Sequence, residues 1–222
     1  MVALFVVLTF VLFIVVDLFV VKSQKKHHPA FSVSHSFQES HAMFNKKSFL
    51  LPQGVMLTKL HVWLNRINDE KVRIGIDDFV MKALGGVKVV PAVEMGSFVE
   101  RGQVVFNAAV NNKKIQFKAP IEGTVVGVNN TNNEITDPYN NDWVLEIIPK
   151  NGDAKQTNVI KYEEAFDWIK SEFKRLKDFI IEQSTQPTLA GVTMYDGGNL
   201  VEGVVSYLGD EAITKFEKEF LS

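Results

Sequence analysis

Four histidines, His27, His28, His35 and His41, crowd one polar stretch and are the first candidates for chemistry, as metal ligands. Their spacing gives no i,i+4 helical pair, and no cysteine or carboxylate completes a recognisable site, so they read as solvated loop residues and no metal is expected. The chain has no cysteine, which excludes disulfides, thiolate nucleophiles and Cys-ligated metals. His61 and Trp63 lie in an alternating apolar run and read as residues that pack or cap a core. Gly85-Gly86 and Gly197-Gly198 are turn signals without the Lys or the spacing of a phosphate loop. Asn129-Asn130-Thr131 matches a glycosylation sequon, which a cytoplasmic loop does not use. No convergent polar set remains, so the chain is not expected to be an enzyme.

The elements around these residues begin with an apolar run. Val2–Val21 contains only Thr9 and Asp17 as polar residues, and about 20 residues at 1.5 Å rise span roughly 30 Å, a bilayer core. It lacks the charged start and small-residue cleavage site of a signal peptide, so residues 2–22 are expected to form an uncleaved transmembrane helix. Lys22, Lys25 and Lys26 follow it and only Met1 precedes it. The positive-inside rule then places the C-terminal bulk on the cytoplasmic side of a bacterial inner membrane, single-pass. Asp17 sits about one turn from the boundary; headgroup solvation and contact with a neighbouring transmembrane helix are both open to it. Net charge is -2, but residues 1–55 carry +3 and the rest -5, with no basic face suited to nucleic acid. Residues 23–56 read as a juxtamembrane linker lying on the membrane surface or against a partner. It holds Phe31, Phe37, Phe44, Phe49, Leu50 and Leu51, too many apolar groups for a free tether.

The stretch from Pro91 to Asn129 organises the middle of the chain. Short β-rich runs, Gln103–Val110, Lys114–Lys118 and Thr124–Val128, flank Gly96, Gly102 and Gly123. Asn111-Asn112 between the first two runs reads as a two-residue hairpin turn, since asparagine tolerates positive φ. Upstream, Thr58–Leu64 alternates as a half-buried strand, followed by Val72-Arg73-Ile74-Gly75-Ile76, a short helix over Asp77–Leu84 and Leu84-Gly85. Downstream come Ala119-Pro120-x-x-Gly123, Asp137-Pro138-Tyr139 and Trp143-Val144-Leu145-Glu146-Ile147. In this order the motifs resemble the glycine-cleavage H-protein, a biotinyl/lipoyl carrier with a barrel-sandwich hybrid fold, over residues 57–150. Asn140-Asn141-Asp142 stands where that family has a glycine-bearing turn.

The resemblance implies a lipoyl-lysine eight residues before the proline of the Pro-x-x-Gly turn, within Glu-Ser-Val-Lys. Counting back from Pro120 reaches Asn112, and the glutamate position falls on Ala109. A carboxamide on a short stem is no substitute for an acylatable amine. Lys113 is adjacent, but a one-residue slip would turn every side chain of that strand to the opposite face. The expectation is a vacant lipoyl position at Asn112 and no cofactor, with a lipoyl group on Lys113 as the alternative.

Beyond residue 150, Tyr162, Phe166, Ile169, Phe173, Leu176 and Ile180 recur at helical steps, predicting an amphipathic helix over 158–184. Packing on the chain's own sandwich is one role for that stripe; contact with a partner helix is the other. Residues 188–222 read as a strand–turn–strand around Asp196-Gly197-Gly198 and a last helix, Glu211–Leu221, capped by Asp210. The predicted fold class is mainly β with flanking helices: a transmembrane helix, an H-protein-like sandwich, a long amphipathic helix and a small β-turn/helix tail. The expected role is a non-catalytic, membrane-anchored scaffold subunit of a larger complex, meeting other integral or peripheral subunits through Asp17 and the apolar stripe. A membrane-tethered lipoyl carrier serving a redox or glycine-cleavage-like system is the alternative.

Overall fold

The structure, a computed structural model, describes Phe13 and Val16, both helical, and residues 42–129, 134–150, 159–183 and 199–222. The rest of the expected span 2–22, Asp17 included, lies outside the described residues. Among those described, no helix is long and apolar enough to cross a membrane. Among the described residues three sheets form the body. The largest is seven-stranded. It contains β2 (Val55–Thr58), β3 (Val62–Arg66), β4 (Val72–Ile76), β6 (Phe98–Val99), β9 (Gly123–Val128), β10 (Leu145–Pro149) and β11 (Val159–Ile160). Their order is β11-β2-β3-β4-β10-β9-β6. A three-stranded sheet runs β5 (Lys88–Pro91), β7 (Val104–Val110), β8 (Lys113–Lys118). Every pairing is antiparallel, and the inward residues of both sheets, among them Trp63, Ile74, Phe106, Ile115, Phe117 and Ile147, are buried in one core.

Two glycines show why the strands approach so closely. A Cβ on Gly75 would lie 2.8 Å from the Trp63 ring, its cross-strand neighbour on β3. A Cβ on Gly123 would lie 2.3 Å from the Ile148 carbonyl oxygen, so the Pro120-x-x-Gly123 turn can feed β9 against β10 only without a side chain.

The strand expected over Thr58–Leu64 is instead a hairpin. His61 adopts φ 55°, its N–H donates to the Thr58 carbonyl (3.0 Å), and the Thr58 hydroxyl donates to the Val62 carbonyl (2.8 Å). Apolar alternation continues across the turn, which hides the break. The Asn140-Asn141-Asp142 departure is accommodated by side-chain hydrogen bonds: the Asp142 carboxylate accepts from the Thr136 and Asp137 N–H groups (2.7 and 2.8 Å). Helix α1 (Asp78–Leu84) starts where the Asp77 carboxylate accepts from the Val80 N–H (3.0 Å).

Helix α2 (Tyr162–Gln183) lies against β2 and β11 and buries Ala165, Ile169, Phe173, Leu176, Phe179 and Ile180. The end of the expected linker folds onto the same body. Met43–Phe44 (β1) pairs with Leu200–Val201 (β12), and Phe44 and Phe49 pack on Phe173. The strand expected near Val192–Tyr195 lies outside the described residues. The tail continues as a short helix that the sequence does not announce, α3 (Val204–Tyr207), and then α4 (Asp210–Phe220). Gly209 (φ 94°), not Asp210, occupies the N-cap; Asp210 is the first helical residue, where its charge still favours the helix N-terminus.

Candidate functional site

The β7–β8 hairpin turns on the two residues the counting singles out. Val110 pairs with Lys113, so Asn111-Asn112 is the whole turn, and Asn111 takes φ 52°, a conformation asparagine bears better than most residues. Asn112 is exposed at the tip. Lys113 is the first residue of β8 and lies opposite buried Val110. By strand alternation it shares the face of Ile115 and Phe117, the residues β8 turns to the core, although its own side chain is exposed. The neighbouring register position, Ala109, faces outward without a carboxylate.

The tail holds this hairpin at two points. The Asn111 side-chain amide donates to the Ser206 carbonyl on α3 (3.1 Å), and the Gln116 N–H donates to the Glu217 carboxylate on α4 (2.8 Å). That second bond satisfies a donor on the outer edge of β8, the open edge of its sheet.

A second polar constellation is sealed inside. The His61 Nδ1 is 2.7 Å from an Asp77 carboxylate oxygen, and its Nε2 lies 3.6 Å from Glu172 on α2. Its ring stacks on Phe79 (4.7 Å between centroids) and leans on Trp168 (4.9 Å). Burial alone would push the imidazole down; the charge and hydrogen bond of Asp77, joined by Glu172, outweigh it and raise the pKa to about 9. Arg175 in turn pairs with Glu172 (2.9 Å). Beside Asp77, burial raises Asp78, while the Lys82 ammonium (2.6 Å) and the Leu50 N–H (2.8 Å) oppose the shift. Tyr139, whose hydroxyl accepts from the Asp78 N–H (3.1 Å), is pushed well up by burial and then by the Asp77 charge. With His61 only 1% exposed, this set ties α2 to the β2–β3 turn and the start of α1. Asp77 and Glu172 carry little mark in the sequence. The one available signal is that Glu172 interrupts the apolar row Ile169, Phe173, Leu176.

Of the residues expected to face a partner, Ile169, Phe173, Leu176 and Ile180 are buried against the chain's own body, and Phe166 alone is exposed, at 42%. Asp17 and His27, His28, His35 and His41 lie outside the described residues. Among the described residues no group of three or more His, Asp or Glu is placed to hold a metal ion.

The family model described as Glycine cleavage H-protein matches residues 55–172, from β2 into α2. A probable glycine cleavage system H protein of Pyrococcus abyssi is 26% identical over 133 residues, covering 58% of this chain and 99% of the relative. The glycine cleavage system H protein of Mycobacterium avium is 33% identical over 103 residues, covering 44% of this chain and 77% of the relative. The crystal structure of a glycine cleavage system H protein from Mycobacterium marinum aligns with a TM-score of 0.47 at 23% identity, over 53% of this chain and 98% of that one. With the matched segment covering more than half of the sequence, the chain belongs to the glycine cleavage H-protein family.

Proposed function

We propose that this chain is a non-catalytic, membrane-anchored scaffold subunit of a larger bacterial membrane complex, built on an H-protein-like domain that has no lipoyl arm. The observation that carries this reading is Asn112 at the tip of the β7–β8 turn. A carrier needs an acylatable amine on a long stem at that point, and a carboxamide supplies neither. Lys113 is a poor replacement because it sits one position down the strand, opposite Val110, on the face of Ile115 and Phe117. A lipoyl group therefore does not fit the turn as this sequence builds it. The apolar run 2–22 supports a single-pass anchor in the inner membrane, and Lys22, Lys25 and Lys26 support a cytoplasmic domain. The polar set in the domain is sealed around His61, which argues for a structural role and against catalysis.

Two observations favour a second reading: the relatives are named as glycine cleavage system H proteins, and Lys113 is exposed beside the turn. On that reading the chain is a tethered lipoyl carrier with its arm on Lys113. Purification from native membranes in mild detergent tests the first. Stoichiometric co-purifying membrane subunits are expected; a chain that emerges alone and monomeric contradicts it.

A further inference from the structure

The outward face of α2 carries a row of three lysines between two exposed apolar residues. Phe166, Lys170, Lys174, Lys177 and Ile181 follow one another at steps of four, four, three and four, which places them on one side of the helix. Phe166 and Ile181, at the two ends, are 42% and 57% exposed, whereas the opposite face is buried. Beside the row, the turn after β1 contributes Lys46 and Lys47. With Asn45, Phe173 and Asn199 the five lysines line a cleft of about 620 Å³. Lys170 is paired with exposed Asp167 (2.7 Å), whose carboxyl it holds below the usual range, and Lys177 lies over the Phe173 ring (5.9 Å). No described carboxylate forms an ion pair with Lys46, Lys47 or Lys174. Glu163 stands at the N-terminal end of the row and Asp178 beside its C-terminal half, so the centre remains positive.

We propose that this face, Lys46 and Lys47 with the α2 row from Phe166 to Ile181, seats the domain on the anionic headgroups of the bilayer. The inference rests on the membrane anchor of the proposed function. A single phosphate is too small an occupant, because the row extends about 22 Å along the helix. Apolar side chains at both ends with lysines between them match an interfacial helix. The rings and methyls enter beside the headgroups while the lysine stems lie along the surface and their ammonium groups meet phosphate. The geometry of the chain agrees: Lys46 follows Ala42, where the described body begins. The twenty residues 22–41 can extend no more than about 70 Å, so the patch stays within that reach of the surface that would attract it. Three further lysines, Lys22, Lys25 and Lys26, lie at the other end of that stretch.

The absence of cysteine makes the test direct, since Ile181→Cys gives the full-length protein a single thiol at an exposed position. A polarity-sensitive fluorophore there is read in vesicles of neutral phosphatidylcholine and in vesicles containing phosphatidylglycerol. The expected result is a blue shift on the anionic vesicles only, reversed by high salt. With K170Q, K174Q and K177Q together, the docked-to-undocked ratio should fall about a hundredfold, roughly fivefold per lysine. Equal emission on both vesicles overturns the proposal. A shift that needs the other proteins of native membranes overturns it too, and assigns the face to an acidic protein. Alkaline carbonate extraction from the neutral vesicles reads the anchor separately. Protein that washes off refutes the anchor, while the lipid dependence of the fluorophore still decides the surface.

Discussion

The β7–β8 tip and the His61 cluster are both polar, and they are built in opposite ways. At the tip, Asn112 is exposed, and hydrogen bonds at the surface tie the hairpin to the tail, from Asn111 to Ser206 and from Gln116 to Glu217. Around His61 the groups are buried and mutually dependent: Asp77 faces the imidazole and caps α1, Glu172 of α2 lies on the other side of the ring, and Arg175, itself exposed, pairs with Glu172. The contrast separates where this protein tolerates chemical change from where it does not. A tip in water can exchange lysine for asparagine at almost no structural cost, so the arm can vanish while the domain persists. The interior set cannot lose a member without leaving a charge uncompensated.

Substitutions test that contrast in descending order of effect. Asp77→Ala removes the counter-charge of buried His61 and the N-cap of α1 together, and should cost about 3–5 kcal/mol in denaturant unfolding. Phe220→Ala opens a cluster in which Phe220 stacks on Phe216 (4.6 Å), meets Phe79 and Phe179, and lies under the Arg175 guanidinium (4.0 Å). Truncating so buried a ring should cost about 3–5 kcal/mol and detach the tail from the body.

The pH response follows from His61. Its folded value, about 9, lies above the ordinary 6.5, so the charged ring favours the folded state. That contribution is fully present below pH 6.5 and is lost as pH rises through 9. Thermal melts should show Tm falling across this window, and a His61→Gln variant should flatten the slope. At the tip, Asn111→Ala loses the bond to Ser206 and strains a left-handed position, for about 1–2 kcal/mol. Asn112→Lys should change stability by less than about 0.5 kcal/mol while placing an amine in the turn. A large destabilisation by this last change would erase the distinction between the two regions.

The sequence carried some of these features openly. Helix α2 is legible because its apolar residues keep helical spacing for five turns, and the β7–β8 turn is legible because Asn111-Asn112 separates two β-rich runs. The break at His61 is concealed, because the alternation of Leu60, Val62 and Leu64 persists through a turn that only backbone conformation reveals. The β1–β12 pairing joins residues more than 150 positions apart, and no local pattern announces it. Asp210 has the composition of an N-cap, yet Gly209 with positive φ takes the place and moves the carboxylate into the helix. The fate of the apolar stripe is likewise tertiary. Spacing shows that Ile169, Phe173, Leu176 and Ile180 share a face, but only packing shows that the chain's own sheets cover it. The lysine row on the other face becomes distinctive only when Lys46 and Lys47 are seen to fold beside it.

The proposal that this H-protein-like domain carries no arm is tested most sharply at the β7–β8 turn itself, by mass spectrometric mapping of the peptide spanning Asn107–Lys118 from natively expressed protein. Unmodified Asn112 and Lys113 are expected; a lipoyl group in amide linkage to Lys113 would contradict this reading.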